Sequence, residues 1–314
     1  MHKLSIVIPC FNSAENIPDL QIALQHLNSK LENYELEIIL VDDGSKDETY
    51  KKLIAFSDTT SLKIIIVKLT GNFGSYNAFL AGLNYGTGDV YAQVHPDMQD
   101  PPQHLTEMLP YWEKGIKFII GQRTEREDKN FNQFFARFYH WLMKKIALPH
   151  IPDGGYDLIV FDKQLRDYVV GMNESNTNLV YLISWLKYPY VTVPVKRISR
   201  KKGESQWTFN KKVKLLIDSV TSFSYTPIKI LTYTSVFVFI LSFALIIFLF
   251  ASEKFLLFEK IILGTGLLFV NLILFFLSIL GEYLWRTLEA TRKRPPFIVE
   301  EILEKNDNII KKQS

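Results

Sequence analysis

Continuous apolar runs recur along the first part of the chain, at Leu4 to Pro9, Glu37 to Val41, Lys63 to Val67 and Asp89 to Val94, each separated from the next by a helix-like stretch. Runs without polar alternation are what strands need when both faces of a sheet are covered, so the pattern predicts an α/β domain with a mostly parallel sheet and helices on both faces. Phe118 to Gly121 reads as a fifth strand and Phe131 to Ile146 as a long amphipathic helix. Asn72 is a plausible N-cap for a helix over Gly74 to Tyr85, stopped by Gly86-Thr87-Gly88.

The pattern changes beyond about Arg200. Ile230 to Phe250 and Ile261 to Leu280 contain no charged residue, and each is about the 20 residues that a helix needs to cross a bilayer core. Phe and Leu on every side leave no polar face for water, which favours a transmembrane hairpin over a buried soluble one. Lys211, Lys212, Lys214 and Lys229 precede the first run, and Arg286, Arg292, Lys293 and Arg294 follow the second. Positive flanks stay in the cytoplasm, so both termini and the N-terminal domain are expected there, in a two-span protein of the plasma or inner membrane. Between Phe209 and Phe223, Val213, Leu216, Ile217 and Val220 share a helical face opposite the lysines. That face reads as an interfacial helix, or as one packed in a groove of the domain. The expected organisation is a domain over 1–208, a juxtamembrane helix over 209–228, a hairpin over 229–282 and a cytoplasmic tail over 283–314. Gly264, Gly266 and Ser278 in the second run would permit close helix contact in a homo-oligomer.

Composition narrows the function by exclusion. Lys and Arg exceed Asp and Glu by 36 to 33, which leaves no basic footprint for nucleic acid. Cys10 is the single cysteine, so no internal disulfide forms and a reducing compartment suits the chain. No secretion signal is visible at the first apolar run. GxGxxG after strand one, GxxxxGK[ST] and HExxH are all absent, which disfavours a dinucleotide oxidoreductase, a P-loop nucleotidase and a zinc protease.

What remains lies at the strand ends, where open α/β sheets bind ligands. These ends read Pro9-Cys10-Phe11-Asn12, Asp42-Asp43-Gly44-Ser45, Asn72-Phe73-Gly74 and His95-Pro96-Asp97-Met98-Gln99-Asp100-Pro101-Pro102. If the fourth stays extended, His95, Asp97 and Gln99 share a face, and the proline pair opens a helix at Gln103. Carboxylate and amide oxygens suit Mg²⁺ or Mn²⁺ beside a leaving diphosphate. The same octapeptide also reads as a polar strand-to-helix turn, and Asp43-Gly44-Ser45 as a plain Asx-type turn.

Ile6 to Asn12 with Glu15-Asn16-Ile17, then Val41 to Ser45 with Asp47 and Thr49, resembles the inverting glycosyltransferase family 2. Adding Asn72-Phe73-Gly74, the octapeptide, Gly121-Gln122-Arg123, Arg200 to Trp207 and Gly281-Glu282-Tyr283-Leu284 narrows the resemblance to polyprenyl-phosphate glycosyltransferases, of the dolichyl-phosphate mannose synthase and bactoprenyl glucosyltransferase kind. It implies a GT-A domain that takes a sugar from a nucleotide-diphospho-sugar, UDP-sugar favoured, to a membrane polyprenyl phosphate. The donor would be bound by Pro9, Phe11, Asn12, Glu15, Asp42, Asp43, Gly44, Asn72, Asp97 and Met98, with Asp97 and Gln99 as metal ligands. Arg123 and Arg200 match family motifs and, with Asp157, form the expected catalytic set. Arg137, Ser205 and Trp207 join Arg123 and Arg200 around the acceptor phosphate, Arg137 by position only.

The chain departs from the family pattern twice. An Asp is common where His95 stands, so the carboxylate pair is incomplete, and His95 reads as a bystander or, if it ligates, as a preference for Mn²⁺. Gln206 stands where a lysine is frequent. Rival expectations are a transferase acting on a hydroxyl of a lipid-linked glycan, with Asp157 as base, and a non-catalytic scaffold with a degenerate metal site.

Overall fold

A computed structural model describes residues 1–123, 141–145, 151, 158–172, 174, 178–197, 224, 230, 233, 234, 237, 240, 255–292, 294–306 and 309–313. The chain divides into two units, Met1–Asp218 with Pro295–Ser314, and Ser219–Arg294.

The first unit is built on strands β1 (His2–Cys10), β2 (Tyr34–Asp42), β3 (Lys63–Leu69), β4 (Val90–Gln93), β5 (Phe118–Arg123), β6 (Leu158–Asp162), β7 (Val191–Val195), β8 (Val299–Asn306) and β9 (Ile309–Gln313). They form one sheet in the order β7-β5-β6-β4-β1-β2-β3-β8-β9. Strands β4, β1, β2 and β3 run parallel, and β6 is antiparallel to both β4 and β5. The expectation of a mostly parallel sheet therefore holds, with antiparallel strands inserted beside and beyond the parallel core.

Alternate residues feed two apolar layers. Ile6, Ile8, Ile38, Leu40, Ile64 and Ile66 belong to one core, which also takes Leu20, Leu24 and Leu27 of α1 (Ile17–Lys30) and Leu53 and Phe56 of α2 (Thr49–Thr59). The opposite face packs on α3 (Ser75–Tyr85), so closely that a Cβ at Gly82 would stand 2.3 Å from Val7 Cγ1 and 2.9 Å from Val41 Cγ2. On that face Phe161 stacks on Tyr91, with ring centroids 5.9 Å apart. Helices α4 (Leu105–Glu113), α5 (Lys163–Met172) and α6 (Leu179–Trp185) also belong to this unit.

A buried carboxylate inside the sheet, away from the strand ends, is fully satisfied. Glu37, fully buried in β2, accepts hydrogen bonds from Lys63 Nζ at 2.7 Å, Ser5 Oγ at 2.7 Å, Thr87 N at 2.6 Å and Thr87 Oγ1 at 2.9 Å. Burial alone would raise its pKa, but these donors outweigh burial and hold the carboxyl below its usual range.

Several expectations are corrected by the fold. The octapeptide follows the end of β4, as expected, but is not extended: β4 stops at Gln93, and Met98 takes a left-handed φ of 57°. His95, Asp97 and Gln99 are thus carried by a turn rather than by one strand face. Helix α3 starts after Gly74, whose φ is 91°, and no side chain caps it, so Asn72 is not its N-cap. The helix expected at Gln103 begins as a 3₁₀ turn over Pro102–His104 that leads into α4. The stretch read as a tail supplies β8, paired antiparallel with β3, and β9 beyond it. Its charged residues had hidden a strand that lies between β3 and β9. Of the helix read over Phe131 to Ile146, residues 141–145 are helical and the others lie outside the described residues.

In the second unit, α7 (Phe255–Arg292) is a single helix of 38 residues, and the Tyr283 hydroxyl donates to the Ser224 carbonyl at 2.8 Å. It contains the uncharged run Ile261 to Leu280. Among the described residues, no helix is long and apolar enough to cross a membrane; side chains at many positions of α7 are outside that description. The spanning hairpin thus stands as a reading of the sequence. Most of the first apolar run and of the juxtamembrane stretch lies outside the described residues.

Candidate active site

The C-terminal ends of β1, β2, β3, β4, β5 and β7 lie along one edge of the sheet, because these strands are mutually parallel through their register. The turn after β1 is sewn to the turn after β2. Asn12, at φ 47°, donates its N–H to Ser45 Oγ at 3.0 Å and accepts the Lys46 N–H on Oδ1 at 2.9 Å. Ser13 N–H donates to Thr49 Oγ1 at 2.7 Å, and Ala14 N–H to Asp47 Oδ2 at 3.2 Å. Asp47 Oδ1 also accepts from Thr49 N and Oγ1 at 3.0 and 2.5 Å. Asn12 is therefore a loop-holding residue through its side-chain oxygen, and Ser45, Asp47 and Thr49 are as much part of the framework as the residues singled out from the sequence.

The two neighbouring aspartates have different tasks. Asp43 accepts the N–H groups of Phe73 and Gly74 at 2.7 and 3.0 Å, which ties the loop after β3 to the end of β2. Gly44, at φ 68°, is required by the same approach: a Cβ there would stand 2.4 Å from the Gly71 carbonyl carbon. Asp42 accepts the Ser45 N–H on Oδ1 at 3.3 Å, while its buried Oδ2 has no hydrogen-bond partner. A buried carboxylate oxygen left open at a strand end calls for a donor from outside the chain. Burial pushes the pKa of Asp42 up, partly offset by the Ser45 hydrogen bonds and the charge of Lys68.

Burial likewise pushes Asp43 up, to about 6, with the charge of Asp42 adding to the effect. Its folded pKa lies above the ordinary value of about 3.9, so the ionised form costs stability above pH ~6 and that cost fades as the pH falls toward ~4. Asp43→Asn should lack this gain. Between pH 7 and 4.5 the wild type is expected to gain on the order of 2 kcal/mol relative to the variant, measurable by chemical denaturation at both pH values. A constant difference across that range would remove the assigned titration.

At the other side of β1, Asp97 Oδ1 accepts the Gln99 N–H at 3.2 Å. The Gln99 amide oxygen accepts from the Arg197 guanidinium, whose Nε lies 3.8 Å from buried Asp100 Oδ2. His95 is half-buried, with Nε2 3.5 Å from Gln93 Nε2. Burial lowers its pKa; Asp97 and Asp100 pull it back up, and Arg123 and Arg197 push it down again. These couplings gather the octapeptide, Arg123 at the end of β5 and Arg197 just past β7 into one corner.

Other sequence candidates fall less cleanly. Pro9 is buried within β1 opposite Val41 and presents no surface to a base. Phe11 is half-buried, and Asn72 and Glu15 are exposed. Arg137, Asp157, Arg200, Ser205 and Trp207 lie outside the described residues. Arg197 was missed as a site residue, although it opens the basic stretch toward Trp207. Its partner is 98 residues earlier in the chain, a pairing no local pattern reveals.

A divalent cation has hard oxygen donors in this corner, the Asp97 carboxylate and the Gln99 amide, the latter already accepting from the Arg197 guanidinium and so to be shared or given up by it, with the His95 imidazole beside them. Among the described residues, no group of three or more His, Cys, Asp or Glu could hold a metal by itself. The donor set fits Mg²⁺ or Mn²⁺ shared with a bound diphosphate, a mode in which few protein ligands suffice. It does not form a closed cage.

One edge of the α/β sheet thus brings together an open acidic strand end, a metal-capable turn and two arginines. The family model for glycosyl transferase family 2 matches residues 5–169, and this chain belongs to that family; it is a transferase enzyme. An uncharacterized glycosyltransferase of Synechocystis sp. is 30% identical over 96% of this chain and 95% of its own length. The undecaprenyl-phosphate 4-deoxy-4-formamido-L-arabinose transferase of Enterobacter sp. is 27% identical, over 97% and 95%. A prophage bactoprenol glucosyl transferase homolog of Escherichia coli is 28% identical, over 96% and 99%. Glucosyl-3-phosphoglycerate synthase from Mycobacterium tuberculosis has a similar fold, with a TM-score of 0.50 at 14% identity, over 70% of this chain and 79% of that one.

Proposed function

We propose that this protein transfers a single sugar, with inversion, from a nucleotide-diphospho-sugar to a membrane polyprenyl phosphate on the cytoplasmic leaflet. The observation that carries the reading is the gathering of Asp97, Gln99, Arg123 and Arg197 at the sheet edge that also holds the open oxygen of Asp42. The relatives named for undecaprenyl phosphate and bactoprenol, matched over nearly their whole length, support the acceptor class.

The chemistry needs no base if the acceptor is a phosphate. Its second pKa is about 6, so near neutral pH an anionic oxygen is already present. That oxygen forms a bond to the anomeric carbon as the bond from that carbon to the diphosphate oxygen breaks, and the electron pair leaves with the nucleoside diphosphate. One displacement inverts the anomeric centre. Asp42 accepts a hydrogen bond from the base or ribose and fixes the donor. Arg123 and Arg197 offset the mutual repulsion of acceptor phosphate and donor diphosphate. A divalent ion held by Asp97 and Gln99 would neutralise charge on the leaving diphosphate. A uracil base is the favoured one; the sugar is left to experiment.

Membrane placement rests on the sequence. Two uncharged runs flanked by lysine and arginine give a hairpin with both termini in the cytoplasm. A helix the length of α7 would extend about 57 Å, well beyond a hydrocarbon core of about 30 Å. Catalysis at the membrane face follows from an acceptor that cannot leave the bilayer. Incubating membranes that contain the protein with a panel of nucleotide sugars and undecaprenyl phosphate should yield one lipid product whose mass is the acceptor plus a single sugar. Absence of such a product with every donor would refute the assignment, and a scaffold would behave in that way.

A further inference from the structure

Asp42 and Lys68 are register partners on the adjacent parallel strands β2 and β3, so their side chains leave the same face of the sheet. An ammonium so placed would ordinarily pair with the carboxylate. Here it does not. Lys68 Nζ lies 2.8 Å from Glu300 Oε1 of β8 and 5.0 Å from the centroid of the Tyr50 ring of α2. Asp42 Oδ2 is left buried without a partner.

The elements that hold Lys68 are themselves fixed. Glu301, opposite Lys68 in the β3–β8 register, accepts a hydrogen bond from the Tyr50 hydroxyl on Oε2 at 2.8 Å, so it is already engaged. Thr70 N–H donates to the Ile298 carbonyl at 3.0 Å, which carries the pairing past the end of β3. The C-terminal strand thus brings a carboxylate to the cation in register with Asp42, and α2 adds an aromatic face to it.

We propose that Glu300 and Tyr50 are positioning residues for donor recognition: they hold Lys68 away from Asp42, so that Oδ2 stays available to an N–H or O–H of the donor's base or ribose. The inference rests on the reading of Asp42 as a donor contact. In this arrangement the last strand of the chain, far from the donor loops in sequence, decides whether the donor pocket is open. Loss of the Glu300 charge frees Lys68 to turn to Asp42, its register partner on β2. The pair then forms and competes with the nucleotide.

The test uses the full-length protein in detergent micelles, titrated calorimetrically with UDP and GDP in the presence of Mn²⁺. Glu300→Ala and the more conservative Glu300→Gln are expected to weaken binding of the nucleoside diphosphate about fivefold or more and to raise the donor KM without lowering kcat. Adding Lys68→Met to either variant should restore binding to within about twofold of wild type, because the competing cation is gone. A purely structural role for the strand would give no such rescue. Unchanged binding in both Glu300 variants, or a Lys68→Met double variant as weak as its parent at the same melting temperature, would overturn the inference while donor turnover by the wild type left the proposed function intact. A wild type that binds neither nucleotide and turns over no donor would instead overturn both.

Discussion

Replacing Asp97 by alanine is expected to lower sugar transfer at least about a hundredfold while the protein still folds. Asp97 offers the carboxylate on the turn whose Gln99 accepts from the Arg197 guanidinium, and the metal-capable set shrinks to Gln99 and His95 without it. Within the turn its Oδ1 accepts a hydrogen bond from the Gln99 N–H. That bond is worth about 1 kcal/mol, small beside several kcal/mol of charge stabilisation at a leaving diphosphate. Asp97→Asn separates the two tasks, since an amide oxygen can still accept from the Gln99 N–H but brings no charge. Both variants should melt near the wild type and both should be nearly inactive. Retention of half the activity in Asp97→Asn would show that the turn acts through its shape alone.

The largest stability effect should come from Glu37. Alanine there leaves Lys63, Ser5 and Thr87 facing the space of a buried carboxylate that satisfied them all. Breaking a buried pair from one side costs about 3–5 kcal/mol, enough to make purification difficult. Glu37→Gln keeps the shape and part of the hydrogen bonding and should cost less. The pH dependence has a definite sign. The folded pKa of Glu37 is lowered, so its contribution is fully present above the unfolded value of about 4.3 and is lost as the pH falls through the folded pKa. Denaturation curves below pH ~4.3 should therefore steepen in their pH dependence for the wild type and flatten for Glu37→Gln. The opposite order would mean that burial, not hydrogen bonding, governs this group. Asp43 titrates with the opposite sign and at higher pH, so the two effects fall in separate windows. Because Glu37 is five residues before Asp42, about 16 Å along the strand, folded Glu37→Gln should keep the donor KM of the wild type.

Strands β1 to β4 were legible because burial on both faces leaves no choice but unbroken apolar runs. The same logic hid β8. Paired between β3 and β9, it carries Glu300, Glu301 and Glu304, and Glu300 and Glu301 pair with β3 and α2, contacts more than 200 residues away in the chain. Register is a tertiary property and left no local trace. At the site, Asp42 could be placed from the end of a strand, and its open oxygen matches that placement. Asp43 looked equivalent in sequence, yet one residue further on the chain has left the strand, and its carboxylate is occupied by two backbone N–H groups. The octapeptide disclosed its ligand types and concealed its geometry: the left-handed Met98 turns the backbone, so the alternation of an extended strand did not apply. Arg197 was invisible as a partner of Gln99 for the same reason as β8.

The most direct test presents labelled donor and the full-length protein with three acceptors side by side: undecaprenyl phosphate, undecaprenol, and a lipid-linked saccharide. Label should appear on undecaprenyl phosphate alone, with the mass of one added sugar, and mild acid should release it as expected for a sugar phosphodiester. An acid-stable product formed only on the saccharide would contradict the account and assign the protein to glycan extension at a hydroxyl.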